Sequence, residues 1–89
     1  MIKTTNAKAR SFVQSMTPFK AANTFGMDIN GVFVVFSYGQ HFPLFANVAG
    51  VWYENTDRYS VTTSKHRSQL HPQVATVPLN TQLLKRTYA

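Results

Sequence analysis

Between Thr62 and Gln69 the chain gathers four hydroxyls (Thr62, Thr63, Ser64, Ser68), a histidine (His66), an amide (Gln69) and two cations (Lys65, Arg67). Core packing does not select such a run, and a plain turn does not need two cations. Hydroxyls and amides donate to phosphate oxygens, and Lys65, Arg67 and the neighbouring Arg58 supply the charge that releases counterions from a polyanion. The aromatics Tyr38, Phe42 and Tyr59 add stacking on unpaired bases wherever they are exposed. The plain alternative is a solvated polar loop whose Thr and Ser satisfy their own backbone.

Catalysis is a weaker reading of the same residues. His41, His66 and His71 with Lys65 could form a metal-independent nuclease, one imidazole removing a proton, another protonating the leaving group and the lysine stabilising the phosphorane. Three histidines and a lysine are not diagnostic, since each imidazole serves equally well as a structural hydrogen-bonding group. Zinc fares worse: His66 and His71 lie five apart, there is no cysteine, and the acids Asp28, Glu54 and Asp57 sit elsewhere in the chain. A hydrolase elbow, a dinucleotide loop and a Walker-type loop are all missing from a sequence with four glycines, Gly26, Gly31, Gly39 and Gly50, each of which sits at an expected turn. The expectation is a binding protein that is not an enzyme and needs no metal or cofactor.

The totals fit that expectation. With 89 residues the chain fills one domain, residues 1–89, and a domain of this size leaves enough surface unburied to make a homodimer or a bound partner a source of stability. The absence of cysteine points to a reducing, cytoplasmic setting. No apolar run is long enough to span a bilayer, and the first ten residues lack the apolar stretch of a signal peptide. Nine Lys and Arg against three Asp and Glu give a net charge of +6. The bases are segregated: Lys3, Lys8, Arg10 and Lys20 come early, and Arg58, Lys65, Arg67, Lys85 and Arg86 come late. Phe25 to Asp57 holds all three acids and no lysine or arginine. Such a balance favours nucleic acid or an acidic protein as partner, with the middle of the chain as scaffold.

The elements that must position these residues follow from pattern. After Thr5 or Asn6 as a cap, Ala9, Phe12, Val13 and Met16 fall on one stripe of an amphipathic helix that Thr17-Pro18 ends. Phe19 to Thr24 reads as irregular. Phe25–Ile29 and Val32–Phe36 flank Asn30-Gly31, the dipeptide of a type I′ hairpin turn. The second of these strands is apolar on both faces and reads as central, covered by helix on one side and on the other by something else, a partner subunit being one candidate. Ser37 to Pro43 is a connection in which Gly39 is free to take positive φ. Leu44–Val48 and Val51–Asn55 form a second hairpin around Ala49-Gly50, with Trp52 as the longest-reaching core candidate.

Asn55-Thr56-Asp57 reads as a polar turn, and the alternation of Tyr59, Val61 and Thr63 predicts a half-buried strand from Arg58 to Thr63. Ser64 to Gln69 is a loop or a single helical turn. Gln73 to Val77 is β-branched enough for an edge strand limited by Pro78, and Asn80 caps a helix from Thr81 to Tyr88. The sum is an α+β fold: an N-terminal amphipathic helix, an antiparallel sheet of four or five short strands and a short C-terminal helix.

Three blocks, Phe36 to Leu44, Val51 to Asn55 and Asp57 to Gln69, resemble a small family of uncharacterised proteins encoded mainly by bacteriophages and prophages. The Tyr-Ser-x-Thr-Thr-Ser-Lys-His-x-Ser-Gln signature of that family is matched throughout by Tyr59 to Gln69. The resemblance implies a phage accessory protein acting in the host cytoplasm, and it implies no chemistry. It favours a site over a loop at the signature. Read together, the candidate binding residues are Arg58, Tyr59, Thr62, Thr63, Ser64, Lys65, His66, Arg67, Ser68 and Gln69, with Tyr38 and His41. The expected ligand is nucleic acid, the alternative a host protein bound for counter-defence.

Overall fold

A computed structural model describes residues 1–57 and 60–89. The described residues form one seven-stranded sheet whose spatial order is the chain order, with three α-helices. The strands are β1 (Ile2–Lys3), β2 (Phe19–Lys20), β3 (Thr24–Ile29), β4 (Val32–Ser37), β5 (Pro43–Val48), β6 (Val51–Asn55) and β7 (Thr76–Leu79). The helices are α1 (Arg10–Gln14), α2 (Val61–Leu70) and α3 (Thr81–Arg86), and a 3₁₀ turn at Asn6–Lys8 leads into α1.

The α+β class holds, but the sheet is mixed and larger than four or five antiparallel strands. β2 to β6 form an antiparallel meander, whereas β1 pairs with β2 and β6 with β7 in parallel. Parallel neighbours require a crossover, supplied by α1 at one end and α2 at the other. After four reversals β6 runs in the direction of β2, so both crossovers step the same way between strands of the same sense. A common right-handed crossover therefore puts both helices on one face. Their shared cluster agrees: Ala9, the N-cap of α1, Val13 of α1 and Leu70 of α2 pack with Phe19, Phe33, Val35 and Trp52. The opposite face carries Val32, Val34, Phe36 and Ala46 under Leu84 of α3, with Tyr88 beyond it. The second cover of β4 is thus the chain's own C-terminal helix.

Both hairpins form as their turn residues dictate, Asn30 and Gly31 at φ 51° and 81°, Ala49 and Gly50 at φ 51° and 87°. Asn80 caps α3 by accepting from the Leu83 N–H, although the helix stops at Arg86, short of Tyr88.

Several expectations are corrected. The expected N-terminal helix follows a strand and splits into the 3₁₀ turn and the five-residue α1. It closes with a Schellman pair, Thr17 N–H to Phe12 C=O and Met16 N–H to Val13 C=O. Met16 takes φ 53° and lies exposed, outside the apolar stripe. Phe19 and Lys20 are a strand, because β1 on one side and β3 on the other supply their partners. Val61 to Thr63 are helical, not extended; the Arg58 and Tyr59 part of that expected strand lies outside the described residues. The final strand begins at Thr76 and includes Pro78, tolerated at a sheet edge where one N–H is not needed.

Tyr38, not Gly39, takes positive φ after β4, at 67°. Gly26 is not at a turn: it lies within β3, where a Cβ would stand 2.7 Å from the Phe19 ring and 2.8 Å from that of Phe33. Close approach of two rings to the backbone explains the glycine.

Candidate functional site

Helix α2 carries the hydroxyl-rich run. Serine and threonine are poor helix interiors but good caps, and the helix starts on one: Ser60 Oγ accepts the Thr63 N–H at 3.0 Å and lies 3.0 Å from Thr63 Oγ1. From there Thr63, His66 and Leu70 point inward, spaced three and four apart as a helix face requires. The outward strip is Val61, Thr62, Lys65 and Ser68, all exposed, with Ser64 and Gln69 half-buried at its margins.

The inward residues are engaged in the fold. His66 Nδ1 lies 2.9 Å from Ser37 Oγ at the end of β4, and the two residues are 3% and 1% exposed. Burial, and secondarily Lys65 beside it, hold His66 below the ordinary imidazole value, so the ring is neutral at physiological pH. The Tyr38 ring tilts against it with centroids 5.4 Å apart. Arg67 Nη1 donates to the Asn55 carbonyl at 2.7 Å and its Nε stands 3.6 Å from Glu54 Oε2.

Glu54 of β6 collects the rest of the crossover. Its Oε1 accepts from Thr76 Oγ1 of β7 at 2.9 Å and faces His71 Nε2 at 3.1 Å. Because the Gln73 N–H donates to His71 Nδ1, the ring hydrogen belongs on Nε2 and points at the carboxylate. Asn55, fully buried, donates to the Pro43 carbonyl and to Thr81 Oγ1 and accepts the Asp57 N–H, tying β5, the polar turn and α3 together. Two side chains of α1 reach the end of α2, Arg10 Nη2 donating to the Ser68 carbonyl at 2.7 Å and Gln14 Nε2 to the Pro72 carbonyl at 3.1 Å. Carbonyls at a helix end lack intrahelical donors, which is what makes them available.

The candidate residues therefore divide. Thr62, Lys65 and Ser68 share an outer surface; Thr63, His66 and Arg67 turn inward; Ser64 and Gln69 lie between. Tyr38 meets α2 through His66, while His41 sits exposed in the β4–β5 connection, its ring 2.9 Å from where a Cβ on Gly39 would stand. Arg58 and Tyr59 lie outside the described residues. Lys8 is exposed on the 3₁₀ turn that packs against α2. Among the described residues no three His, Asp or Glu side chains are grouped to hold a metal ion, and no helix is long and apolar enough to cross a membrane. Sequence reasoning missed Ser37, Glu54 and Asn55. The first reads as the start of a loop, and nothing in the pattern marks the other two as hubs.

A family model matches residues 5–83. The chain belongs to DUF8033, a family of unknown function. The range that DUF8033 covers begins after β1 and ends within α3, so it takes in Tyr38, the Glu54 hub and the whole of α2. No curated protein and no solved structure matches the chain.

Proposed function

We propose that the protein is a small basic module, not an enzyme, that binds nucleic-acid phosphates through the outer surface of α2. The observation that carries this reading is the strip Thr62, Lys65 and Ser68: two hydroxyl donors and a cation facing solvent on a helix that contains no acid. Of the carboxylates, Glu54 is taken by Arg67, His71 and Thr76. Asp57 accepts the Thr81 N–H, which with the Thr81 hydroxyl lowers its pKa and keeps it charged but occupied. Lys8 beside α2 is the second cation of the contact, and Arg58, Tyr59, Ser64 and Gln69 flank it in sequence. Arg67 serves the fold instead. The likeness of Tyr59 to Gln69 to a phage signature supports reading the module as a phage accessory protein of the host cytoplasm.

The test is fluorescence anisotropy against labelled single- and double-stranded DNA and RNA over a range of salt. Lys8→Ala combined with Lys65→Ala should weaken binding similarly for all sequences and reduce the salt slope by about 1.4 to 1.8, two phosphates' worth. An unchanged slope in the double variant sinks the reading.

A second reading, a phage inhibitor that docks on a host protein, is favoured by one feature. Met16, Val51, Val74 and Val77, all exposed, line a groove of about 610 Å³ together with Trp52. A host protein recovered in stoichiometric amount from nuclease-treated lysate, and lost with Val74→Asp, would support it. The histidine nuclease has no such support, because His66 is buried on Ser37 and His71 is engaged by Glu54 and Gln73.

A further inference from the structure

The face of the sheet under α3 is covered unevenly. The helix lies over β5 and β6, and Tyr88 reaches Phe36 of β4, but β1 to β3 extend past them. On those strands Lys3 pairs with Lys20 and Lys20 with Phe25, and directly paired residues project to the same side. Phe25 belongs to the cluster on the α3 side, so both lysines rise from that face. The alternation along β3 sends Asp28 to the opposite face from Phe25, and Glu54 faces α2.

At the end of this half-covered face lies a groove of about 450 Å³, within the ~300–1,000 Å³ of small-ligand sites. Lys20, Asn23, Thr24, Phe25 and Tyr38 line it, and no carboxylate does among the described residues. Phe25 is fixed by stacking on Phe36, centroids 5.0 Å apart and planes 25° from parallel. Tyr38 is half exposed although its backbone occupies the left-handed region at φ 67°, a conformation costly for a bulky side chain. Its N–H donates to the Asn23 carbonyl at 2.7 Å, so the β2–β3 turn holds it there. The result is a half-exposed aromatic ring, resting on His66, at the rim of a groove whose described lining holds one lysine and no acid.

We infer that this groove takes an unpaired base of a single-stranded nucleic acid against the Tyr38 and Phe25 rings, with an adjoining phosphate on Lys20 and Lys3. Flat rings accept any base, the lysines require an anion beside it, and a duplex with its bases stacked inside offers neither. The assignment rests on the nucleic-acid reading above and adds to it a preference for single strands. Tyr38 joins the two surfaces, since it lines the groove and packs on His66 of α2.

The experiment is a titration of the isotope-labelled full chain with short oligodeoxythymidine and oligouridine at low salt, followed by NMR. Shifts at Lys20, Asn23, Phe25 and Tyr38 are expected, with the two oligonucleotides distinguishing DNA from RNA. Two variants accompany it: Tyr38→Asn, because asparagine tolerates the left-handed backbone, and Lys20→Glu, whose side chain is exposed. Each should weaken single-strand binding by about tenfold. Shifts confined to Thr62, Lys65 and Ser68 would overturn the groove and leave the α2 reading standing. Shifts confined to the groove would support the groove and remove α2. Unchanged single-strand affinity in both variants, or no shift with either oligonucleotide, would overturn the groove.

Discussion

At one end of the sheet α1 is held by Ala9 and Val13, both fully buried, and by Phe19, on which Phe12 stacks at 6.4 Å. At the other end α2 turns Thr63, His66 and a single leucine inward, and Glu54 fastens the crossover through Arg67, His71 and Thr76. Both units join parallel strands on the same face. Apolar contact is non-directional, so β1 and β2 can be two residues each and still hold their helix. A polar lock is directional: it fixes α2 in one rotation, which presents Thr62, Lys65 and Ser68 outward, but it fails when one partner is removed. Arg10 and Gln14 couple the two ends, so neither helix is docked alone.

The contrast breaks most sharply at Phe19. Phe19→Ala should cost about 4 kcal/mol by urea denaturation, because a fully buried ring leaves a cavity that two-residue strands cannot close. At the polar end Glu54→Ala should cost about 2 kcal/mol, tempered by the partial exposure of the carboxylate and of Arg67. Amide hydrogen exchange should then rise along α2 ahead of β3 to β5, and a uniform rise would refute a separate lock. Gly26→Ala should cost about 1.5 kcal/mol by crowding Phe19 and Phe33, read as a shift in thermal midpoint.

Acid acts selectively on the polar end. The unfolded chain protonates its imidazole at about 6.5, whereas His66 in the fold has a lower value, so below about 6.5 the unfolded state takes up a proton that the folded state does not. The contribution of His66 is complete above that pH and is lost as pH falls through the folded value. Denaturation series at neutral and mildly acidic pH should show a fall in stability that His66→Gln reduces. Lys65→Ala should change stability by no more than about 0.5 kcal/mol, since its side chain lies in solvent.

The same contrast explains what the sequence disclosed. Asn30-Gly31, Ala49-Gly50, the apolar run of β4 and the Asn80 cap each carry a local cause, and all four stand as read. Helix α2 carries no such cause. Its buried positions are a threonine, a histidine and a leucine, so no apolar stripe marks it, and the alternation of Val61 and Thr63 mimics a strand until Ser60 caps the turn. β1 and β2 are too short for any periodicity and exist because their neighbours provide the hydrogen bonds, β2 for β1 and both β1 and β3 for β2. The candidate site was half legible. The composition of Thr62 to Gln69 drew attention to the segment that forms most of α2. Which of its residues face inward depended on Ser37, Glu54 and Asn55, three positions remote in sequence.

The coincidence of spatial and chain order in the sheet has a kinetic consequence. No strand must be threaded between two already paired, so the Asn30-Gly31 and Ala49-Gly50 hairpins can form first and each later strand can add at a free edge. Loop closure then stays local until the two helical crossovers, and refolding belongs in the ~millisecond range of mixed α and β domains rather than the slower range of β-sandwiches. The outermost segments, β1 and β7, are the last to be gained and the first to be released.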